Sequence, residues 1–322
     1  MKYIETLRES DNIMDIYLIK HKQSAVTKNG KPYENVILQD KTGTIDSKIW
    51  DVSSAGIEDF DVLDYCMVGG QVTSFNGQLQ VNIKRIRKAK EGEYIPGDYL
   101  PMTTGNIDEM YSELLKIMSG INSPYLKKLC EAFFKDDNDF ITAFKKSSAA
   151  KSVHHGFVGG LLEHTLSVVK LCDFYCTRYR MLNRDLLLTA AMLHDIGKVK
   201  ELSAFPQNDY TDDGQLLGHI VMGYEMVGEK VKNIEGFPHQ LEAEVKHCIL
   251  AHHGEYEFGS PKKPALMEAL ALNMADNLDA KMETLTELFN STTDKGWLGF
   301  NRLIDSNIRK TGESGDAPAG LF

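Results

Sequence analysis

Asp185-Leu186-Leu187-Leu188-Thr189-Ala190-Ala191-Met192-Leu193-His194-Asp195-Ile196-Gly197-Lys198 runs from nearly unbroken apolar text into a polar pair. The apolar part predicts a helix over 185–194 that is buried on most sides. A neutral imidazole beside a carboxylate suits a hard-to-borderline divalent metal. Two polar residues at a helix end can also form a solvated cap, so the pair gains meaning only from what surrounds it.

Five further residues of metal-binding type surround it. His164 lies in Gly159-Gly160-Leu161-Leu162-Glu163-His164-Thr165, His219 in Leu217-Gly218-His219-Ile220, and His252 and His253 in Leu250-Ala251-His252-His253-Gly254. Asp276 closes the set in Asn273-Met274-Ala275-Asp276-Asn277. Most sit in apolar helical text, where an unpartnered polar group is costly, so several in one core imply mutual satisfaction. Asp195 is the natural bridge, because one carboxylate can offer an oxygen to each of two cations. Neighbours in a helix point about 100° apart, so His252 and His253 can share an ion only if the helix stops there. Gly254 is a favoured stop.

The ordered set His…His-Asp…His…His-His…Asp resembles the HD-domain metal-dependent phosphohydrolase superfamily, over roughly residues 120–295. The additional histidines match the members that hold two metals. By that resemblance His164, His194, Asp195 and Asp276 form one site, and His219, His252 and His253 with Asp195 form the other. Two such ions can clamp a phosphate and activate a water for in-line attack. The resemblance also gives catalytic roles to Asp195 and to Lys198, which lies one turn beyond His194 and can neutralise a phosphate oxygen or assist the leaving group. The alternative for Lys198 is a plain surface lysine. Ser152-Val153-His154-His155-Gly156 resembles the segment leading into one HD group, which makes His154 and His155 substrate-contact candidates. His21, His239 and His247 have no such context.

The first 95 residues read as β structure. Strands are expected over Asp15–Val26, Tyr33–Gln39, Thr44–Trp50, Asp61–Ser74 and Gln78–Ile86, with a short helical or irregular piece near Ser53–Asp59. Lys28-Asn29-Gly30-Lys31, Asp40-Lys41-Thr42-Gly43 and Asn76-Gly77 supply the turns. Five strands in this order match a small Greek-key barrel. The phrases Val36-Ile37-Leu38-Gln39-Asp40-Lys41-Thr42-Gly43 and Asn76-Gly77-Gln78-Leu79-Gln80-Val81 resemble an OB-fold of the nucleic-acid-binding kind. Tyr33, Trp50 and Phe75 can present π-faces to unpaired bases, or serve as core or rim aromatics. Lys84-Arg85-Ile86-Arg87-Lys88-Ala89-Lys90 can track a phosphate backbone through Lys84, Arg85 and Arg87, or simply charge an edge strand.

The expected organisation is therefore multidomain: an all-β OB-fold barrel at 1–95, a Pro/Gly-rich linker with a connecting helix at 96–119, an all-α HD domain at 120–310, and a disordered tail at 311–322. Helices are expected over Met110–Met118, Ser123–Lys135, Asp137–Phe144, Leu161–Tyr179, Gln215–Lys232, Pro238–His253 and Pro264–Asn290. With 322 residues the core is not limiting. No run of 18 apolar residues and no apolar leader core are present, which predicts a cytoplasmic protein without membrane contact. Cys66, Cys130, Cys172, Cys176 and Cys248 lack zinc-ribbon or Cys-x-x-Cys spacing and read as buried small side chains. A net charge of −10 argues against nucleic-acid binding by electrostatics alone, though not against a nuclease whose metals carry the positive charge.

A barrel followed by an HD domain resembles the YhaM-type 3′–5′ exoribonuclease family, over about residues 10–300. That implies hydrolysis of single-stranded RNA, with single-stranded DNA as an alternative substrate; two divalent ions per chain, manganese first, with magnesium, cobalt or iron as alternatives; and homo-oligomers. Two other activities fit the residues. One is hydrolysis of a small or cyclic nucleotide, which has no evident need for a barrel. The other is non-catalytic binding of single-stranded DNA, which the intact ligand set opposes.

Overall fold

The computed structural model describes residues 1–27, 29–151, 155–290, 292 and 296–311. The chain divides into two compact units, Met1–Met102 and Thr103–Phe322. The expected tail at 311–322 lies almost wholly outside the described residues.

The first unit is a closed barrel of β1 (Asn12–Val26), β2 (Pro32–Asp40), β3 (Gly43–Ile49), β4 (Tyr65–Phe75) and β5 (Gln78–Lys88), in the order β1-β2-β3-β5-β4. This is the strand order of an OB-fold. Its long first strand makes closure possible. Asn12–Leu18 pairs with β4, and Leu18–Val26 pairs with β2 beyond a bulge near Ile19. Asn76 and Gly77 both take positive φ, the two-residue turn that matches strand twist. Tyr17, Ile19, Leu38, Val68, Val72 and Val81 fill the interior.

Ser53–Asp59 is the irregular one of its two expected forms, a set of turns tied to the barrel by an Ile57–Ile86 bridge. One expectation shifts here. The fourth strand begins at Tyr65, because the Asp64 carboxylate accepts the Asp61 backbone N–H at 2.6 Å and closes a turn.

The second unit is helical: α1 (Ile107–Ser119), α2 (Pro124–Phe134), α3 (Asn138–Lys146), α4 (Gly160–Arg178), α5 (Arg184–Leu193), α6 (Lys198–Glu201), α7 (Asp212–Lys232), α8 (His239–Ala251) and α9 (Met267–Asn290), then a hairpin of β6 (Trp297–Asn301) and β7 (Ser306–Arg309). Side chains of Asn106, Ser123, Asp137, Asn183 and Thr211 cap five of these helices. At the centre is α5, in contact with α2, α4, α8 and α9. Every residue from Leu186 to Leu193 is buried. The terminal hairpin was not expected from the sequence.

The segment 96–119 is not a free linker. Tyr94 stacks on Tyr65 with ring centroids 4.0 Å apart, and the buried Gln39 side chain donates to the Tyr99 carbonyl at 3.0 Å, so the chain stays on the barrel through Leu100. Helix α1 buries Met110, Tyr111, Leu114 and Met118 in the helical core. Leu114→Ala should therefore cost about 2–5 kcal/mol, measured as a shift in the urea midpoint of the helical unit. A solvated connecting helix would lose less than about 0.5 kcal/mol.

Candidate metal centre and nucleic-acid face

Helix α5 delivers His194 and Asp195 at its C-terminal end, both almost fully buried. Gly197 lets α7 come close. A Cβ there would lie 2.0 Å from the His219 carbonyl oxygen, so only glycine permits the approach that sets His219 beside Asp195. A kink at Gly218 interrupts α7 just before His219. Helix α8 stops at Ala251, and Gly254 takes a φ of +81°. That ending frees His252 and His253 to turn toward a common point, with ring centroids 4.3 Å apart.

The two oxygens of Asp195 face different groups. Its Oδ2 lies 3.4 Å from His164 Nε2 and 3.3 Å from His194 Nε2, and Asp276 Oδ1 is 3.2 Å from the same His164 nitrogen. Its Oδ1 lies 3.5 Å from His219 Nε2 and 3.6 Å from His252 Nε2. His164, His194 and Asp276 thus gather donors within 4.8 Å on one side, and His219, His252 and His253 do so on the other. Asp195 Oδ1, His219 Nε2 and His252 Nε2 are buried without a hydrogen-bond partner. Three orphaned acceptor or lone-pair atoms converging on one point fit a cation and little else.

Hydrogen bonds behind the rings aim them. The Nδ1–H of His194 donates to the Ala191 carbonyl at 2.8 Å, that of His252 to Ile249 at 2.7 Å, and that of His253 to Phe258 at 3.0 Å. His219 donates to Glu201 Oε1 at 3.0 Å and His164 to Asp279 Oδ2 at 2.7 Å. All five rings therefore hold the proton on Nδ1 and turn Nε2 inward, the tautomer a metal needs. Glu201 and Asp279 were missed from the sequence. Asp279 follows Asp276 by three residues, on one face of α9, and that spacing was the available signal.

Charge follows the same plan. Burial opposes ionisation of Asp195, yet Lys198, His194 and His164 hold its carboxyl well below the usual range. Burial, with His253 and His194 nearby, pushes His252 well below its ordinary value and keeps its lone pair free. Burial also opposes protonation of His164, but Asp195, Asp276 and Asp279 hold a proton on it well above 6.5. A bound cation competes with that proton. Lys198 Nζ donates to Asp195 Oδ2 at 2.6 Å, inside the cluster rather than on the surface.

The remaining candidates fall elsewhere. His155 is buried, and its Nε2 donates to Asp279 Oδ2 at 3.1 Å, so it faces carboxylates rather than open space. His154 lies outside the described residues. On the barrel, Tyr33 stacks against Trp50 with centroids 5.0 Å apart. The Trp50 Nε1–H donates to Asn82 at 3.0 Å, and Lys48 lies over the Tyr33 ring. Lys48 and Asn82 were not singled out in the sequence. Phe75 is 65% exposed at the β4–β5 turn. Lys84 and Arg85 are exposed, whereas Arg87 makes a two-pronged ion pair with Glu93 at 2.8 and 3.1 Å and is already engaged.

Glu201→Ala removes the group that orients His219. Divalent-cation affinity should fall about 10–100-fold in a competition titration against a metal indicator. Unchanged affinity would mean that Glu201 does not orient the ring.

A family model described as the HD domain matches residues 161–281. Among curated proteins, the 3′–5′ exoribonuclease YhaM of Geobacillus sp. (strain WCH70) is 36% identical over 276 residues, spanning 84% of this chain and 83% of that protein. Two solved structures overlap the barrel. The second OB-fold domain of replication protein A from Methanococcus maripaludis has 23% identity and a TM-score of 0.22, covering 29% of this chain and 98% of that one. A replication protein A heterotrimer bound to single-stranded DNA has 15% identity and a TM-score of 0.21, covering 27% and 64%. Both likenesses are too weak to bear on function, and the OB assignment rests on the strand order itself. The match to the Geobacillus protein over 84% of this chain, together with the HD-domain match over residues 161–281, shows that this chain belongs to the YhaM family.

Proposed function

We propose that this protein is a metal-dependent 3′–5′ exoribonuclease that hydrolyses the terminal phosphodiester of single-stranded RNA. One observation carries the proposal: the buried Asp195 divides its two oxygens between two sets of inward-facing imidazole nitrogens. His164, His194, Asp276 and Asp195 would hold one divalent cation. His219, His252, His253 and Asp195 would hold the second. Manganese is the first candidate, because a mixed imidazole and carboxylate set accepts it. Bound there, two cations would supply charge neutralisation and an acidified water.

The protein's own groups account for the rest. Asp195 and Asp276 place negative charge where cations must sit. Glu201, Asp279 and three backbone carbonyls keep the imidazoles in one tautomer. Lys198 keeps its proton, because Asp195 offsets the cost of burying it. Its positive charge is available to a phosphate oxygen as the water attacks phosphorus and the bond to the leaving sugar oxygen breaks. In the barrel, Trp50 and Tyr33 offer stacking surfaces for bases, and Lys48, Lys84 and Arg85 offer charge to the backbone. A cytoplasmic location and assembly into homo-oligomers belong to the same proposal. No helix among the described residues is long and apolar enough to cross a membrane.

With Mn2+ and 5′-labelled RNA and DNA oligomers, the protein should give a ladder that shortens from the 3′ end. Asp195→Ala should lower the rate by more than the roughly 10–100-fold typical of outer-shell changes. Intact strands beside a cleaved cyclic dinucleotide would overturn the proposal. Trp50→Ala should weaken binding of single-stranded RNA by about 1–3 kcal/mol in a fluorescence-anisotropy titration. An unchanged dissociation constant would remove Trp50 from the binding face.

A further inference from the structure

Next to the Asp195 cluster lies a second set of donors that this function leaves unused. His155 is 3% exposed and sits at a φ of +54°. Its backbone is tucked against the start of α4, where a Cβ on Gly160 would lie 2.0 Å from the His155 carbonyl oxygen. The His155 Nε2–H donates to Asp279 Oδ2, an oxygen that also accepts from His164 Nδ1. Ser167 Oγ donates to the other Asp279 oxygen. Asp279 is thus a pure acceptor, and the His155 proton is assigned to Nε2.

The opposite nitrogen is then a lone pair. His155 Nδ1 is buried and has no hydrogen-bond partner. It faces Glu163 Oε1 at 3.5 Å, and one donor atom each from His155, Glu163 and Glu283 lies within 4.8 Å of the others. A lone pair against two carboxylates is repulsive unless something positive stands between them. Among the described residues, no lysine or arginine is paired with Glu163 or Glu283. Burial pushes the Glu283 carboxyl upward against the pull of His155, and the neighbouring Glu163, Glu287 and Asp279 add to the rise.

We propose that His155 Nδ1, Glu163 and Glu283 form a separate divalent-cation site beside the Asp195 centre. One imidazole nitrogen and two carboxylates suit Mn2+, Fe2+ or Zn2+. Three protein donors leave coordination positions for water or a phosphate oxygen. Glu163 and Glu283 are partly exposed, so an ion can reach the site. Thr103 Oγ1 donates to Glu163 Oε2 and holds that carboxylate in place. Asp279 joins the two centres, because it binds both His155 and His164. The competing explanation is a proton on Nδ1, which makes His155 an imidazolium between Asp279 and Glu163.

The site stands or falls independently of the exonuclease activity, because the test counts ions rather than turnover. Metal-stripped full-length protein is dialysed against MnCl2, and bound manganese is measured by mass spectrometry. Glu283→Gln should hold one ion per chain fewer than the parent, and Glu163→Gln should do the same. Equal counts in parent and variants would establish the proton instead. If either variant loses its helical circular dichroism, a second measurement decides. In 15N-labelled Asp195→Ala protein, diamagnetic Zn2+ should shift the His155 Nδ1 resonance to that of a metal-bound nitrogen, and an Nδ1 resonance that does not move at saturating Zn2+ would overturn the site.

Discussion

A single carboxylate, Asp195, is buried where an anion is hardest to place, just beyond the end of a helix whose residues from Leu186 to Leu193 are all buried. It is 2% exposed and meets four imidazole nitrogens and one ammonium. An isolated charge in such a place is prohibitively costly. The helical unit brings α4, α7, α8 and α9 to one point, each with a side chain able to bind a cation, and Lys198 with His194 and His164 offsets part of that cost. The close approach at Gly197, the helix ending at Gly254 and the unbroken apolar surface of α5 all serve to hold that convergence.

Convergence alone would give a tangle of imidazoles with mixed ring orientations. The hydrogen bonds on the outer ring nitrogens prevent it, because each of the five rings is anchored at Nδ1 and points Nε2 inward. Helix geometry supplies some anchors for nothing extra. His194 and His252 reach the carbonyls three residues back, Ala191 and Ile249, as helix-terminal residues readily can. His253 reaches the Phe258 carbonyl, and the remaining two anchors are acidic side chains, Glu201 on α6 and Asp279 on α9. The barrel carries a surface of its own, with Tyr33 on β2, Lys48 on β3 and Trp50 just beyond the end of β3.

Much of this is legible in the sequence, for physical reasons. Residues of the types that can bind a metal are rare in apolar text, so His164, His194, His219, His252 and Asp276 stand out in the sequence alone. Barrel strands alternate, and Asn76-Gly77 marks a hairpin by backbone chemistry alone. Glu201, Asp279, Glu163 and Glu283 do not stand out, because acidic residues on helices usually face water. Lys48 and Asn82 are hidden for the same reason on strands. Arg87 reads as a free cation until Glu93, six residues on, is seen to hold it. Helix α1 reads as a connector because Pro101 and Gly105 precede it, although Met110, Leu114 and Met118 recur at the four-residue spacing of a buried face.

The central claim is that Asp195 bridges two cations. Anomalous diffraction at the manganese edge, from crystals grown with Mn2+, tests it most directly. Two peaks should appear on opposite sides of the carboxylate, one beside Oδ2 with His164, His194 and Asp276, the other beside Oδ1 with His219, His252 and His253. A single peak at Asp195, or density that leaves either oxygen without a neighbouring ion, would contradict it.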